Sequence, residues 1–533
     1  MFSRDKTLTD GAGGGLKKSK KKQKRENAWR PEGPRDPFAM VSVSVGTVYC
    51  STRLNYLLFL VLLLKKCKTG FSRLWAITFN GSAVLHAVTF CSRSVKRRIS
   101  VLNYGKLSFL FHVLGQLDSL PEKEQQEIQK ALHLFSLGTS LPKTLQQARK
   151  HTYRFWDTQP VPRLDDHITT HGPLEEADVI QNEPYLLPLG FSWDVLDLSR
   201  TSVLTELCHL LNENYTEEDD NTMRFDFSPE YLLWALQPPN WLHQWNLGVR
   251  VDTTKKLVGF VAAVPADVRI YETKRRLVQV KFLCVHKKLR LKRMTPVLIR
   301  ELKRRVNQQG LCQAVYTAGT VLPTPISSCR YQWHRPLNPR KLMEINFPGL
   351  KHNMDLRRAQ KFHRLPEVTK IKGLRPMTKE DASGIHSLLE RNLCNFHLSP
   401  LLSPQEVEHW FLPKENVNDT YVVEADDGTL SDLVSFYSVS SRVLNHPVHS
   451  GLRAACLLYV VCTATGGADL MQDTLVLAKS KGFDVFCALD VMDNVSFLEK
   501  LKFTISNKSV HYYLYNWTCP LMSPDKVGLV LPN

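Results

Sequence analysis

The stretch KFLCVHKKLRLKRMTP, residues 281–296, decides the fold that we predict for this 533-residue chain. It opens with the apolar run 282–285, which is typical of the end of a buried strand. A basic loop follows, and Thr295 and Pro296 then predict a helix N-terminus with Thr295 as its cap. Apolar residues recur at helical spacing over 298–306, so the stretch predicts a strand, a loop and a helix.

A basic loop between a strand and a helix N-terminus favours the binding of an anion. Free backbone N–H groups and the helix dipole attract negative charge at such a point. The basic side chains of the loop are His286, Lys287, Lys288, Arg290, Lys292 and Arg293. We interpret the loop as a site for a phosphorylated cofactor. The spacing of these residues alone is equally compatible with an alternative, an ordinary strand–loop–helix unit with a solvated basic turn.

The same order of elements occurs twice in the chain. Each copy has a helix, a second helix that begins at Ser-Pro (228–229 and 403–404), strands, another helix, a glycine and a strand. This duplication predicts an α/β fold built from two related units. In the second copy the junction that corresponds to the basic loop, Thr463–Asp469, carries no basic residue. We therefore expect only the first unit to hold the phosphorylated cofactor.

The composition indicates a globular protein with a separate basic tail. Residues are 43% apolar and 23% charged, and the formal net charge is +19. Residues 1–38 are polar, basic and rich in glycine and proline, which predicts disorder. The run Lys17–Arg25 would bind an anionic membrane or ribosomal RNA, with a nuclear address as a weaker alternative.

The cysteine pattern favours reduced thiols in a cytoplasmic protein that binds no metal. Twelve cysteines occur without a CxxC pair, and there is no HExxH motif. The chain starts Met-Phe-Ser, which lacks both the pattern of a signal peptide and the Met-Gly start of a myristoylated protein.

Residues 39–118 form an atypical apolar and basic insert. Its longest apolar run, Tyr56–Leu64, is too short for a membrane span, which needs about 20 residues. Extension back to Ala39 would bury Arg53 at a cost of about 2.5–3.5 kcal/mol. We expect this insert to be poorly ordered or to lie on a membrane, which would give peripheral membrane association. A true membrane span is the weaker alternative.

Several phrases of the sequence resemble glycylpeptide N-tetradecanoyltransferases (N-myristoyltransferases). The run 282–290 is similar to the acyl-CoA-binding signature of that family. Other similar phrases follow in the same order: Phe155–Pro162, Glu183–Tyr185, Leu232–Leu236, Gln313–Gly319, Leu337–Lys341 and Tyr512–Trp517. The resemblance covers roughly residues 147–533. It implies two fused, pseudo-symmetric acetyltransferase-like (GNAT-type) units around a continuous mixed sheet, with myristoyl-CoA bound by residues 119–350 and peptide by residues 351–533.

The resemblance also implies a reaction, in which a monomer transfers a tetradecanoyl group from CoA to the N-terminal glycine amine of proteins. The amine attacks the thioester directly, the backbone N–H groups of Phe282 and Leu283 stabilise the oxyanion, and the C-terminal carboxylate, here that of Asn533, is the base. The matched contacts to acyl-CoA are Tyr153, Phe155, Trp156, Phe282, Leu283, Cys284, Val285, Arg293, Met294 and Thr295.

The matched contacts to the peptide form a second set. They are Tyr215, Glu218, Asp220, Phe225, Phe227, Thr317, Tyr331, His334, Phe347, Tyr437 and Ser441. Thr317 would receive the glycine amine, and Glu218 and Asp220 would pair with a lysine of the substrate. For the acidic run that contains these two residues, a solvated loop is the alternative.

Some positions depart from the family pattern. Lys281 stands where the family has asparagine, which puts a cation beside the oxyanion site, and Asn533 extends the chain by one residue, about 3.3–3.6 Å. A glycine-rich signature is replaced by Lys502–Lys508, in which Thr504 would be strained if the loop needs positive φ. Other altered positions are Leu291, Cys456, Cys487 and Asn507. Two hypotheses follow: an N-myristoyltransferase, of full or reduced activity, and a catalytically weakened or inactive relative that only binds acyl-CoA or peptide.

Overall fold

The computed structural model describes residues 74–80, 84–90, 142–175, 181–215, 222–330, 333–348, 350, 354–506 and 509–532. The basic run Lys17–Arg25 and the apolar run Tyr56–Leu64 lie outside these residues. The chain divides into two compact units, Met1–Leu132 and His133–Asn533. In the first unit, strands β1 (Leu74–Asn80) and β2 (Val84–Phe90) form an antiparallel pair within the predicted insert.

The second unit contains the helices of the described ranges. They are α1 (Leu145–Arg149), α2 (Thr201–Asn214), α3 (Pro229–Leu236), α4 (Met294–Asn307), α5 (Pro339–Glu344), α6 (Leu356–Phe362), α7 (Ala382–Leu393), α8 (Pro404–Phe411), α9 (Gly467–Ser480) and α10 (Val495–Leu498). None of these helices combines the length and the hydropathy that crossing a bilayer requires.

The strands of the second unit form two large mixed sheets and one small pair. The first sheet contains β4 (Phe191–Val195), β6 (Asn246–Val251), β7 (Leu257–Ile270), β8 (Thr273–Val285), β9 (Ala314–Ala318), β10 (Ser327–Arg330), β13 (Leu398–Pro400) and β18 (Ser509–Tyr515). The second sheet contains β5 (Met223–Phe225), β11 (Trp333–Pro336), β12 (Leu374–Pro376), β14 (Asn418–Glu424), β15 (Leu430–Val443), β16 (Gly451–Val461) and β17 (Val485–Ala488). The small pair is β3 (Gly172–Pro173) with β19 (Trp517–Thr518).

The predicted α/β class and the internal repeat are confirmed. In each copy a serine caps the Ser-Pro helix: Ser228 accepts a hydrogen bond at the start of α3, and Ser403 does so at the start of α8. A long hairpin then leads to a 14-residue helix, α4 or α9. A glycine with positive φ follows, Gly310 (74°) or Gly482 (79°). The next strand, β9 or β17, pairs parallel to the second strand of the hairpin.

The prediction of one continuous sheet needs correction, because the strands divide between two sheets. Strand β9 takes β18 as its antiparallel neighbour, and β17 takes β11. Each sheet therefore contains, next to β9 or β17, a strand from a distant part of the chain. The two halves still exchange short strands: β13 pairs with β7 of the first sheet, and β5 pairs with β15 of the second.

A shared hydrophobic core joins the two halves. It includes Val268 of β7, Phe411 of α8, Tyr512 of β18 and the C-terminal residues Leu529–Leu531. The end of the chain is thus packed inside the protein, because its apolar residues fill space between elements of both halves.

The junction of the second copy is filled by a carboxylate of the protein itself. The buried Asp432 accepts hydrogen bonds from the backbone N–H groups of Thr463 at 2.7 Å, Ala464 at 3.2 Å and Thr465 at 3.1 Å. Burial opposes ionisation of Asp432, but hydrogen bonds from Ser431 and from this loop hold the pKa of the carboxyl below its ordinary value. The donors that could bind a phosphate are therefore already in use, which supports the prediction that only the first junction binds an anion.

We predict that Asp432→Ala lowers the free energy of unfolding by about 3 kcal/mol at pH 7, because three backbone N–H groups lose a buried, charged acceptor. The native pKa is depressed, so this contribution is present above the unfolded pKa, about 3.9, and is lost as the pH falls through the lower native value. Urea unfolding of wild type and variant at pH 7 and at acid pH measures both effects. Asp427→Ala, at an exposed turn where Asp427 accepts from Thr429, is the control and should cost much less. Equal losses for the two variants would contradict the prediction.

Candidate active site

Strand β8 carries a β-bulge at the pair of residues that the sequence analysis placed at the oxyanion. The register between β7 and β8 shifts between Phe260 and Ala262, so Phe282 and Leu283 lie opposite Val261 alone. Phe282 has a φ of 52°, which is rare for a residue with a bulky side chain. A bulge disrupts the hydrogen-bond ladder locally and leaves one residue without a partner.

The packing of the Phe282 ring compensates for this backbone conformation. The side chain is 2% exposed, and its ring centre lies 5.4 Å from that of Phe227 and 5.7 Å from that of Tyr215. Phe225 and Tyr231 extend the group, with ring centres 5.2 and 5.6 Å from Phe227. These five residues form an aromatic cluster that brings three predicted peptide contacts, Tyr215, Phe225 and Phe227, next to the bulge.

A gap opens beside the bulge, between β8 and β9. The two strands pair through Val278–Ala314 and Gln279–Val315 and through no later residues of either strand. Thr317, which was predicted to receive the amine, pairs instead with Tyr512 on the other side of β9. The bulge and Thr317 therefore lie on strands that have separated.

The basic loop forms a 3₁₀ helix, Lys287–Lys292, before helix α4. His286 accepts a hydrogen bond from the N–H group of Lys288 at 3.3 Å, and the Arg290 guanidinium donates to the carbonyl oxygens of Val285 and Asn214. The loop is thus tied to the end of β8 and to helix α2.

The predicted start of helix α4 is wrong by two residues. The helix begins at Met294, and Arg293 precedes it with a φ of 56°, so Thr295 is the second helical residue and not the cap. The left-handed conformation of Arg293 turns the chain directly from the 3₁₀ helix into α4. Arg293 is exposed, Met294 is buried and Thr295 is half-buried.

The electrostatic field at the loop is positive. Burial lowers the pKa of His286, and nearby cations, with Lys256, Lys288 and Lys287 foremost, lower it further. Such a cluster favours an anion, and the first turn of α4 adds backbone N–H groups.

The predicted aromatic contacts of acyl-CoA lie beside β9 and α4. Trp156 stacks on Tyr316 with ring centres 6.0 Å apart. The guanidinium carbon of Arg300, on α4, is 5.7 Å from the ring centre of Phe155. Tyr153 is buried, donates a hydrogen bond of 2.6 Å to a carbonyl oxygen after β9, and has its pKa raised to about 12 by burial.

Two predicted peptide contacts and two of the altered positions follow one line across the second sheet. Tyr437, Cys456, Cys487 and His334 are direct neighbours on β15, β16, β17 and β11, and we call them the transverse row. The Cys487 sulfur is 3.5 Å from His334 Nδ1, and the His334 ring centre is 4.9 Å from that of Phe347.

Ser441 connects this sheet to the aromatic cluster. It pairs with Phe225 where β15 meets β5, four residues beyond Tyr437 on the same strand. The two groups of predicted peptide contacts therefore share strand β15.

The C-terminal segment, Gly528–Pro532, reaches the bulge. Tyr459 holds its first part: the hydroxyl donates to the Gly528 carbonyl at 3.0 Å and accepts from the Val530 N–H group at 3.2 Å. Lys281 holds its end, because Nζ donates to the Pro532 carbonyl at 2.8 Å. The segment is buried along its length.

Sequence reasoning missed both of these contacts. It noted Lys281 as an added cation but gave no partner for it, and the apolar phrase around Tyr459 carried no signal of a buried hydroxyl contact. Thr504 is a correction: it forms a bridge with His334, and the positive φ lies at Lys502 instead. Four predicted site residues lie outside the described residues: Glu218, Asp220, Tyr331 and Asn533.

Comparisons with known proteins identify the family. The model of the N-terminal domain of Myristoyl-CoA:protein N-myristoyltransferase matches residues 172–329, and the model of its C-terminal domain matches residues 344–530. The chain is 56% identical over 414 residues to glycylpeptide N-tetradecanoyltransferase 2 of Danio rerio, which covers 78% of this chain and 84% of the relative. The chain belongs to the N-myristoyltransferase family.

Other members of the N-myristoyltransferase family agree with this assignment. The Bos taurus glycylpeptide N-tetradecanoyltransferase 2 is 54% identical over 414 residues, with 78% of this chain and 83% of the relative covered. A crystal structure of Saccharomyces cerevisiae N-myristoyltransferase with bound myristoyl-CoA superposes with a TM-score of 0.69 at 36% identity, covering 71% of this chain and 99% of that one. The predicted family is confirmed. No group of three or more His, Cys, Asp or Glu residues within the described ranges is placed to hold a metal ion.

Cys284, two residues after Phe282, is not suited to be a nucleophile, because burial raises the pKa of its thiol to about 12. We predict that iodoacetamide at pH 7.5 labels the exposed Cys394 of the native chain and leaves Cys284 unmodified, while both react after unfolding. Peptide mapping by mass spectrometry reads each site separately. Labelling of native Cys284 at the rate of Cys394 would contradict its burial and would reopen a covalent thiol mechanism.

Proposed function

We propose that this chain transfers a tetradecanoyl (myristoyl) group from CoA to the N-terminal glycine amine of proteins. Its relatives carry the name of this activity. The observation that carries the proposal is the bulge at Phe282–Leu283, which lies where β8 and β9 separate. The basic loop follows at one end of the bulge, and the C-terminal segment contacts the residue before it.

The CoA phosphates lie against the basic loop and the first turn of α4. This assignment is supported by the cations that lower the pKa of His286 and by the bound myristoyl-CoA of the yeast relative. Phe155 and Trp156, which contact Arg300 and Tyr316, would line the same side of the site.

The reaction is a direct attack of the amine nitrogen on the thioester carbonyl. The C–N bond forms, and the N–H groups of Phe282 and Leu283 stabilise the oxyanion. The C–S bond then breaks, and the proton that the attacking nitrogen loses leaves with CoA as its thiol. One oxyanion donor contributes about 10²–10³-fold to kcat in well-studied cases. The glycine ammonium first gives up a proton to the C-terminal carboxylate of Asn533, because only the free amine is a nucleophile. Thr317, across the gap from the bulge, orients the amine.

The peptide extends from the gap along the aromatic cluster and the transverse row. Tyr215, Phe225 and Phe227 support the part next to the bulge, and His334 and Phe347 support the part further away. Glu218, Asp220 and Tyr331 complete this assignment by resemblance. The basic run Lys17–Arg25 would hold the enzyme, as a cytoplasmic monomer, at the ribosome or at an anionic membrane.

One observation favours the second candidate function, a relative that binds acyl-CoA or peptide without turnover. The Lys281 ammonium contacts the Pro532 carbonyl, one residue from the proposed base, and a cation at that place weakens a carboxylate as a proton acceptor.

We predict that the full chain releases CoA from tetradecanoyl-CoA when it is given a peptide that begins with glycine, and not when the same peptide begins with alanine. A thiol-reactive dye measures CoA release, and mass spectrometry of the peptide detects the acyl product. Binding of the thioester or the peptide without turnover would support the second candidate, and the absence of binding of either would refute both.

We predict that conversion of the Asn533 carboxylate to an amide, by protein ligation, lowers kcat by about 10²–10⁴-fold, the usual contribution of a general base. The affinity for tetradecanoyl-CoA should not change, because the carboxylate does not hold the cofactor. Deletion of Asn533 moves the carboxylate by about 3.3–3.6 Å toward the position found in the family, and is expected to raise kcat. An amide with full activity would exclude the C-terminus as the base. Equal or lower activity after deletion would argue against a displaced base.

A further inference from the structure

We infer that Lys281 is a positioning residue that fixes the C-terminal segment against the β8 bulge and thereby sets the turnover number. This inference rests on the proposed function in its kinetic part. Its structural part, the anchoring of the segment, stands on the contacts of Lys281 alone.

Lys281 is held in an environment that a lysine rarely occupies. Its side chain is 2% exposed, Nζ donates to the Pro532 carbonyl at 2.8 Å, and the ring centre of Trp410 lies 5.3 Å from Nζ. Among the described residues, no carboxylate forms an ion pair with it. The Lys281 amine therefore contacts the Pro532 carbonyl and the Trp410 ring, and both groups favour a cation or a donor N–H group.

The position of Lys281 in β8 connects the C-terminal segment directly to the bulge. Lys281 pairs with Ala262 and is the last residue of β8 in regular register before the bulge. A shift of the C-terminal segment would thus pull on the residue that precedes the proposed oxyanion donors.

The C-terminal segment is fastened at separate points to the two sheets. Tyr459 of β16 holds Gly528 and Val530 from the second sheet. Lys281 holds Pro532 from the first sheet. Without Lys281, the Pro532 carbonyl would lose its described donor, and packing would hold the described residues beyond Val530.

The charge surroundings are consistent with an anchoring role. Burial lowers the pKa of Lys281 to about 7, and its neutral amine still carries N–H groups that donate to a carbonyl. His409, next to Trp410 on α8, has its pKa lowered to about 4, by burial first and then by Lys414 and Lys281, so it is neutral at pH 7. The hydrogen bond to Pro532 is therefore retained on both sides of neutrality.

The test compares two substitutions with a matched control in the full chain. Lys281→Met keeps an unbranched side chain and removes the donor, whereas Lys281→Gln removes the charge and keeps an N–H donor. The control is Lys502→Met, because Lys502 has similar contacts at an exposed place outside the proposed site. Its Nζ donates to the Phe362 carbonyl at 2.9 Å and lies 4.8 Å from the ring centre of Phe362.

Hydrogen exchange of the C-terminal peptide, followed by mass spectrometry, is the first readout. Lys281→Met should speed exchange in Leu529–Leu531 by about 2- to 13-fold, the equivalent of one hydrogen bond. Lys281→Gln should show a smaller change, and Lys502→Met should match wild type. Exchange in strands β6 and β7 checks that each variant is folded. Wild-type exchange rates in Lys281→Met would overturn the anchoring.

The second readout separates kcat from KM. Lys281→Met should lower kcat by roughly 10- to 100-fold, because a small misplacement of a catalytic group has that effect. The KM for tetradecanoyl-CoA should stay within about twofold, since Lys281 lies away from the basic loop, and Lys281→Gln should recover most of kcat. Faster exchange with unchanged kcat would overturn the link to turnover. If wild type shows no turnover, the proposed function fails, and exchange alone still decides whether Lys281 anchors the segment.

Discussion

The buried ring of Phe282 holds the backbone of β8 in a left-handed conformation that a regular strand does not adopt. Aromatic neighbours from the residue after α2 and from the loop before α3 surround the ring, so the free energy of burial offsets the strain. The bulge could not move along β8 without exposing that ring. Because the gap, the basic loop and the C-terminal segment are all placed relative to β8, this one packing arrangement determines the geometry of the whole candidate site.

The duplication explains how one fold supports two different binding surfaces. In the first copy, the junction between the hairpin and helix α4 carries cations. In the second copy, Asp432 occupies the backbone N–H groups of the junction before α9, so the same geometry cannot receive a phosphate. Under the proposed function, the second copy instead presents strands β15–β17 to a peptide. The short strands β5 and β13, each paired with the sheet of the other half, bring the two surfaces together.

Much of this arrangement was predictable from sequence because it depends on local patterns. The Ser-Pro caps, the glycines after α4 and α9 and the apolar end of β8 all act within a few residues. One error is local, and the others concern long-range contacts. Thr295 has the composition of a cap, but the left-handed Arg293 starts the helix earlier. We expected one continuous sheet, and the structure has two. Strands β18 and β11 join these sheets from distant parts of the sequence, and hydrophobic periodicity does not predict such pairings.

The contact between Lys281 and Pro532 shows the same limit most clearly, since 251 residues separate its partners. A buried amine in a strand is costly unless a polar group receives it, and here the receiving group belongs to the last residues of the chain. Lys281 and the C-terminal segment therefore have to be considered together, because the lysine supplies the described donor for the Pro532 carbonyl. On the inference drawn above, the departure at Lys281 thus gives the end of the chain a defined position beside the bulge.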